Sequence, residues 1–161
     1  MKKVLFVASE GVPFIKTGGL ADVVGSLPKC YNKEEYDVRV ILPKYMCMKE
    51  EWKNKMNYVT HFYMDLAWRS QYVGVLEMQY DGVQFYFIDN EYYFAGPKPY
   101  GNIYQDIEKF AFFSKAALSA LPVIGFKPDI VHCHDWQTGL VPVLLKDKFH
   151  EGEFFRDMKS I

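Results

Sequence analysis

The sequence predicts an open α/β sheet, mostly parallel, with helices on both faces and an antiparallel hairpin inserted beside the parallel strands. Three observations carry that expectation. Short apolar runs bounded by charge alternate with segments of helical periodicity near both ends of the chain. An aromatic stretch with strand-like alternation around an Asp-Gly pair interrupts them, and Pro or Gly punctuates most of the boundaries.

Residues 4–9 are a short β-branched and apolar run, the pattern of a strand buried on both faces of a parallel sheet. The preceding Met1-Lys2-Lys3 has the charged opening of a leader peptide, but Glu10 ends the apolar run too early for one. After a loop with Gly11 and Pro13, Thr17 is placed to cap a helix. In that helix Leu20, Val23, Val24 and Leu27 recur at i, i+3, i+4 and i+7, and Pro28 loosens its last turns. Residues 37–42 read as the second strand, stopped by Pro43, which completes a β-α-β unit.

Residues 58–90 are aromatic and alternating, with Asp81-Gly82 between Tyr80 and Val83 as a hairpin signal. A Pro- and Gly-rich loop over residues 96–101 follows. Ile107, Phe110, Ala111, Ser114, Leu118 and Leu121 then mark one helix face. Pro128-Asp129 leads into the short strand of Ile130, Val131 and Cys133, followed by a helix through Leu140, Leu144 and Leu145. A polar run over residues 151–159 precedes Ser160-Ile161, where another strand is expected to begin, so the ending reads as a cut rather than a natural end. There is no internal repeat, low-complexity segment or interdomain linker.

With 161 residues, half of them apolar, the chain fits one domain with a core of its own. Nineteen Lys and Arg against 20 Asp and Glu leave no basic footprint for nucleic acid or an anionic membrane. No stretch approaches the roughly 18 uncharged apolar residues of a membrane span. Cys30, Cys47 and Cys133 are far apart and odd in number, which fits a reducing, cytoplasmic setting better than a disulfide framework. Aromatics make up 17% of the chain; they read first as a β-rich core, with a carbohydrate-stacking surface as the alternative.

Two loops after strands carry the chemistry, since open α/β sheets bind ligands outside the carboxyl ends of their strands. The first is Lys16-Thr17-Gly18-Gly19-Leu20 with Asp22 behind it. Adjacent glycines let a ligand oxygen approach amides at a helix amino terminus, Lys16 adds a mobile positive charge, and Asp22 can accept from sugar hydroxyls. The same residues also suit a plain tight turn with a helix-start carboxylate. Neither GxGxxG nor GxxxxGK[ST] is present, which disfavours NAD and P-loop nucleotide binding. The second is His132-Cys133-His134-Asp135-Trp136-Gln137. Its HxH pair and Asp have the residue types of a metal site, but only His61 and His150 remain to complete one. Asp135 and Trp136 equally suit sugar recognition, through a carboxylate for hydroxyls and an indole for an apolar sugar face. Cys133 points to the other side of its strand from both histidines and reads as a buried thiol. No autonomous hydrolytic triad or carboxylate pair is visible.

Residues 4–10 followed by Lys16-Thr17-Gly18-Gly19-Leu20-Ala21-Asp22-Val23 resemble the opening of bacterial glycogen and starch synthases, glycosyltransferase family 5. Further blocks agree in order: residues 39–45, residues 86–90 with Tyr92 and Phe94, residues 109–118, and residues 128–140. The resemblance covers nearly the whole chain. It implies the Rossmann-like amino-terminal domain of a GT-B fold over residues 1–161, without the carboxy-terminal nucleotide-binding domain. It implies retaining transfer of glucose from ADP-glucose to the non-reducing end of α-1,4-glucan, with glycogen or a maltooligosaccharide as acceptor and no metal or cofactor. It assigns Lys16 to ADP-glucose, Gly18 and Gly19 to the pyrophosphate, and Asp22, Asp135 and Trp136 to the border of the glucose. Thr17, His134 and Tyr100 join them as candidate substrate contacts. The family's catalytic-site histidine falls just after Ile161, so the fragment alone is expected to be inactive. Lys98 and Lys109 stand where many relatives carry arginine. The alternative class is a non-catalytic glucan- or sugar-nucleotide-binding module, with a metal-dependent hydrolase third.

Overall fold

A computed structural model describes residues 1–161 and places seven strands in one sheet, in the order β3-β4-β5-β2-β1-β6-β7. Strand β1 (Lys2–Val7) lies in its interior, pairing in parallel with the central strand β2 (Tyr36–Pro43) on one side and β6 (Ile130–Cys133) on the other. Because both its faces are covered, β1 is apolar on both, and residues 4–8 are all buried. Strand β5 (Val83–Asp89) extends the parallel core beside β2 and also closes the antiparallel hairpin with β4 (Arg69–Tyr80). The hairpin turn is Asp81-Gly82, both at positive φ (51° and 74°), the geometry that an Asp-Gly pair favours. Strand β3 (Asn57–Leu66) forms the outer edge, and β7 (Lys159–Ser160) pairs with β6 at the other. The residues expected to begin another strand therefore do so.

Helix α1 (Gly19–Ser26) lies on one face with the short α2 (Glu50–Lys53), where Phe14 packs between Phe85 and Phe87 of β5 and Trp52 of α2. The sequence pattern assigned the buried face of α1 to Leu20, Val23, Val24 and Leu27. Instead Ala21, Val24 and Gly25 are buried, Leu20 is half-buried, and Val23 and Leu27 are exposed. Gly25 sets that rotation: a Cβ there would lie 2.3 Å from Val12 Cγ2 and 2.6 Å from the Val12 carbonyl oxygen, so the helix rests directly on the loop after β1. Val12 N donates to the Ala21 carbonyl across the same contact. At Pro28 the helix tightens into a 3₁₀ turn (Leu27–Cys30), as expected of a proline there.

The opposite face carries α4 (Ile103–Val123), introduced by the single turn α3 (Glu91–Phe94), with α5 (Leu140–Leu144) beside it. Of the face expected for α4, Phe110, Ser114, Leu118 and Leu121 are buried, whereas Ile107 is exposed. Asn102 caps the start of α4 by accepting from Tyr104 N at 2.9 Å, and Gly125 at φ 66° ends the chain's helical path after Pro122. No helix is long and apolar enough to cross a membrane.

Candidate functional site

From β1 the chain moves to β2 on one side of the sheet and later returns as β6 on the other, so the connections diverge between β1 and β6. That is the topological switch point, where loops leaving the carboxyl ends of neighbouring parallel strands open a crevice. Val7 stands opposite Cys133, and His134 N donates to the Val7 carbonyl at 3.1 Å, so the loops after β1 and β6 leave the sheet side by side. Both loops singled out in the sequence meet here.

In the first loop Lys16 Nζ donates to both carboxylate oxygens of Asp22, at 2.8 and 2.7 Å, with both side chains about half exposed. Thr17 does not cap α1. Its Oγ1 (2.7 Å) and its amide (2.5 Å) both donate to Glu10 Oε2, and the N-cap position falls to Gly18, with no side-chain cap. The threonine is drawn off because a buried carboxylate, 3% exposed, lies directly under the loop and outcompetes the helix end for its hydroxyl. The amino terminus of α1 therefore keeps uncapped amides and the positive end of its dipole beside Lys16. A Cβ at Gly19 would meet no heavy atom within 4 Å, and one at Gly18 only Glu10 Oε1 at 3.8 Å.

In the second loop Asp135 adopts φ 64°, ψ −179°, a backbone region that residues with a Cβ avoid. Its Oδ1 accepts from Trp136 N at 2.8 Å. Trp136 is 48% exposed and meets Phe110 of α4 edge-on, with centroids 5.6 Å apart, which holds the indole upright while leaving much of it free. His134 is buried. Its ring stacks on His132 at 4.2 Å and packs on Phe6 at 5.0 Å, so it lies beneath the crevice floor. Burial, with His132 beside it, pushes its pKa down to about 4, and burial alone lowers that of His132. His132 Nδ1, His134 Nε2 and Gln137 Oε1 are buried without a partner within the chain. The two imidazoles stack on each other rather than converging on a point, and no group of three or more His, Cys, Asp or Glu side chains is arranged to hold a metal ion. Cys133 lies on the α4 face, away from both rings. It is half-buried rather than buried, and desolvation pushes its thiol up to about 12.

Tyr100 joins the two loops. Its hydroxyl bonds Ser9 Oγ at 2.6 Å, and its pKa is raised by burial first and by the nearby carboxylates of Glu10 and Asp135 after it. Tyr45 OH donates to the Ser9 carbonyl at 2.7 Å from below. The Pro99-Tyr100-Gly101 segment is itself fixed by α4. Buried Asp106 accepts from Gly101 N at 2.8 Å, and Lys109 reaches both Asp106 Oδ1 (2.8 Å) and the Pro99 carbonyl (2.9 Å). Lys109 is thus a loop support. Ser9, Glu10, Tyr45 and Asp106 did not stand out in the sequence. The signal for Glu10 was present in a carboxylate three residues beyond the apolar end of β1, where an unpaired charge is costly. A separate cleft of about 320 Å³, lined by Tyr31, Tyr36, Arg39 and Glu77 among others, lies at the amino ends of the parallel strands and belongs to another part of the surface.

Residues 3–161 match the family model described as the starch synthase catalytic domain. The chain is 70% identical over 161 residues to the glycogen synthase of Lachnoclostridium phytofermentans, covering all of this chain and 34% of that protein. It is 52% identical over 159 residues to that of Geobacillus stearothermophilus, covering 99% of this chain and 33% of that one. Among solved structures, the catalytic domain of starch synthase IV from Arabidopsis thaliana, bound to ADP and acarbose, superposes with a TM-score of 0.87 at 31% identity, over 99% of this chain and 33% of that chain. The chain spans about one third of the length of the relatives it matches. With the parallel sheet, the switch-point crevice and the Lys-Thr-Gly-Gly loop already in place, these matches settle the family: the chain belongs to the starch synthase catalytic-domain family.

Proposed function

We propose that this chain forms one wall of the active-site cleft of a glycogen synthase, a cytoplasmic enzyme that transfers glucose from ADP-glucose to the non-reducing end of α-1,4-glucan with retention. The observation that carries the reading is the meeting of the Lys16–Asp22 and His134–Trp136 loops at the β1/β6 switch point, joined through Tyr100 and Ser9. In this reading Lys16 leaves Asp22 for the donor's diphosphate, whose oxygens also take the uncapped amides at Gly18 and Gly19. Thr17, held by Glu10, keeps that loop in place, and His134 supports the crevice floor as a neutral ring. Asp22, once released, and Asp135 accept from glucose hydroxyls, Trp136 covers an apolar sugar face, and Tyr100 borders the same space. No cofactor is needed for this chemistry. In the whole protein, closure of a second domain over Lys16 excludes water, so that glucose passes to a glycogen or maltooligosaccharide acceptor rather than to hydrolysis.

A backbone amide NMR titration with ADP-glucose tests the reading. Shifts centred on residues 16–22 and 134–136 are expected. Because an exposed ion pair contributes little to stability, Lys16→Ala should leave thermal unfolding within about 1 kcal/mol of the parent while weakening ADP-glucose at least about tenfold. A lysine variant that binds ADP-glucose as the parent does would overturn the role given to Lys16. The acceptor assignment rests on relatives named glycogen synthase and on the starch synthase structure that holds acarbose.

A further inference from the structure

Three hydroxyls and a carboxylate at the root of the crevice loops touch one another in series. Ser9 Oγ and the Tyr100 hydroxyl are 2.6 Å apart. The Thr17 hydroxyl bonds the Tyr100 hydroxyl as well, and both contacts work against the rise in the Tyr100 pKa that burial causes. Thr17 Oγ1 in turn donates to Glu10 Oε2 at 2.7 Å, the oxygen that also accepts from the Thr17 amide. The order in space is Ser9, Tyr100, Thr17, Glu10. The Tyr100 ring is held in place for this series: Asp106 and Lys109 fix the residues on either side of it, and the ring leans on Phe110 with centroids 5.9 Å apart.

By distance alone, either oxygen of the Ser9–Tyr100 pair can be the donor. Their surroundings choose between the two. Ser9 is fully buried and Tyr100 is the one partner of its Oγ, so a Ser9 hydroxyl that accepted would leave its own proton buried and unpaired, which is costly. At the far end Glu10 Oε2 takes the Thr17 proton, so toward Tyr100 the Thr17 oxygen can only accept. Both ends impose the same direction: Ser9 donates to Tyr100, Tyr100 to Thr17, and Thr17 to Glu10. Hydrogen bonds aligned in one sense toward a carboxylate polarise one another and reinforce that order. The single proton of the Tyr100 hydroxyl is therefore engaged within the fold, and what its oxygen has left is a lone pair.

We propose that Ser9, Thr17 and Glu10 are positioning residues, which turn the Tyr100 proton away from the crevice so that Tyr100 offers its ligand a hydrogen-bond acceptor and no donor. The inference rests on the reading of the crevice given above and deepens it. A lone pair accepts from a sugar hydroxyl and repels a phosphate oxygen, so Tyr100 reads the glucose of ADP-glucose and not its diphosphate. The crevice then has two chemically distinct ends. Lys16 with the amides of Gly18 and Gly19 supplies donors for the anion, and Tyr100 with the nearby Asp135 carboxylate supplies acceptors for hydroxyls. Thr17 belongs to both ends, since its amide and hydroxyl tie the Lys-Thr-Gly-Gly loop to Glu10 while its oxygen sets the polarity of Tyr100. Glu10 and Ser9 act on the ligand only through these two residues.

The test compares the parent chain with Thr17→Ser, which keeps the hydroxyl, Thr17→Val, which removes it, and Tyr100→Phe. Without ligand, NMR locates the slowly exchanging hydroxyl protons by their through-space contacts. In the parent and in Thr17→Ser, the Tyr100 proton should lie against the side chain at position 17 and the Ser9 proton against the Tyr100 ring; in Thr17→Val the Tyr100 proton should leave that place. The chains are then titrated with ADP-glucose and with analogues in which one glucose hydroxyl at a time is replaced by fluorine, which cannot donate. At one sugar position fluorine should weaken binding at least about fivefold in the parent and in Thr17→Ser, less than about twofold in Tyr100→Phe, and by an intermediate factor in Thr17→Val. A Tyr100 proton that lies against Ser9 in the parent overturns the proposal. So does a fluorine penalty that Tyr100→Phe leaves unchanged at every sugar position. A parent that shows no ADP-glucose shifts sinks the reading of the crevice instead, and the proton positions still decide the order of the series.

Discussion

Glu10 is the residue whose removal tests the architecture of the crevice most directly. Its side chain is buried and one of its oxygens accepts two hydrogen bonds, from Thr17 N at 2.5 Å and Thr17 Oγ1 at 2.7 Å. Hydrogen bonds to a charged acceptor contribute about 1.5–3 kcal/mol each. Since the loop is only part-buried and water can reach Thr17 once the carboxylate is gone, the lower end of that range applies. Glu10→Ala is expected to destabilise the fold by about 3 kcal/mol, which for a chain of this size lowers Tm by roughly 6–12 °C. Thr17→Val deletes the hydroxyl and keeps the amide, so it should lose about half as much, and the two substitutions should couple by about 1–2 kcal/mol. Urea unfolding of the four members of the cycle gives these values, and hydrogen exchange at the Thr17 amide reports the loop itself. If Glu10→Ala costs no more than the ~0.5 kcal/mol of an ordinary surface substitution, and Thr17 exchange is unchanged, the loop is held by something other than Glu10.

Two further predictions concern the loop after β6. Asp135 at φ 64°, ψ −179° stores backbone strain of about 1–3 kcal/mol, so Asp135→Gly should be more stable than Asp135→Ala in urea unfolding, the reverse of the usual order in loops; an alanine variant as stable as the glycine variant would remove the strain argument. His134 supplies the pH prediction. Its pKa is lowered in the fold from about 6.5 to about 4, so the unfolded chain binds more protons between those values. Its contribution is fully present above pH 6.5 and is lost as pH falls toward 4, amounting to about 3 kcal/mol at ~1.4 kcal/mol per pH unit. His132 acts in the same direction. His134→Asn should flatten that part of the stability curve, and an unaltered acid profile would refute the assignment.

Periodicity and turn chemistry made most of the sheet legible. Asp81-Gly82 announced its hairpin because few other pairs tolerate two successive positive φ angles, and the β1 run announced a buried strand because both of its faces are apolar from Val4 onward. The β3–β4 connection gave no such signal: it turns at Ala67-Trp68, with Ala67 at φ 54°, and no glycine or asparagine marks it. The face of α1 was misread because helical spacing shows which residues can share a stripe but not which stripe touches the sheet. That choice depends on how closely Gly25 approaches Val12, a contact between segments that only the fold brings together. Thr17 was misread for a related reason. A threonine before a helix is a cap in isolation, and only the buried carboxylate of Glu10, seven residues earlier, redirects it.

Gly18 and Gly19 show where sequence and structure together reach further than either alone. Most tightly conformed glycines explain themselves within the chain. Gly25 admits no Cβ, and Gly82 and Gly125 adopt positive φ. Gly18 does neither: its backbone is extended, at φ −152°, and a Cβ on it would have ordinary room. Gly19 starts a helix, where alanine is favoured by up to about 1 kcal/mol, and a Cβ there would touch nothing. Neither packing nor backbone geometry within the chain asks for glycine at these two positions. In the proposed reading their use lies outside the chain, in keeping side chains away from the amides at the positive end of α1. Asp135, which keeps a strained backbone where glycine would relax it, and Lys16, whose only partner is an exposed carboxylate, fit the same reading. Stability is given up at Gly19 and at Asp135, two points of one crevice, which supports the proposal that these residues are kept for binding rather than for the fold.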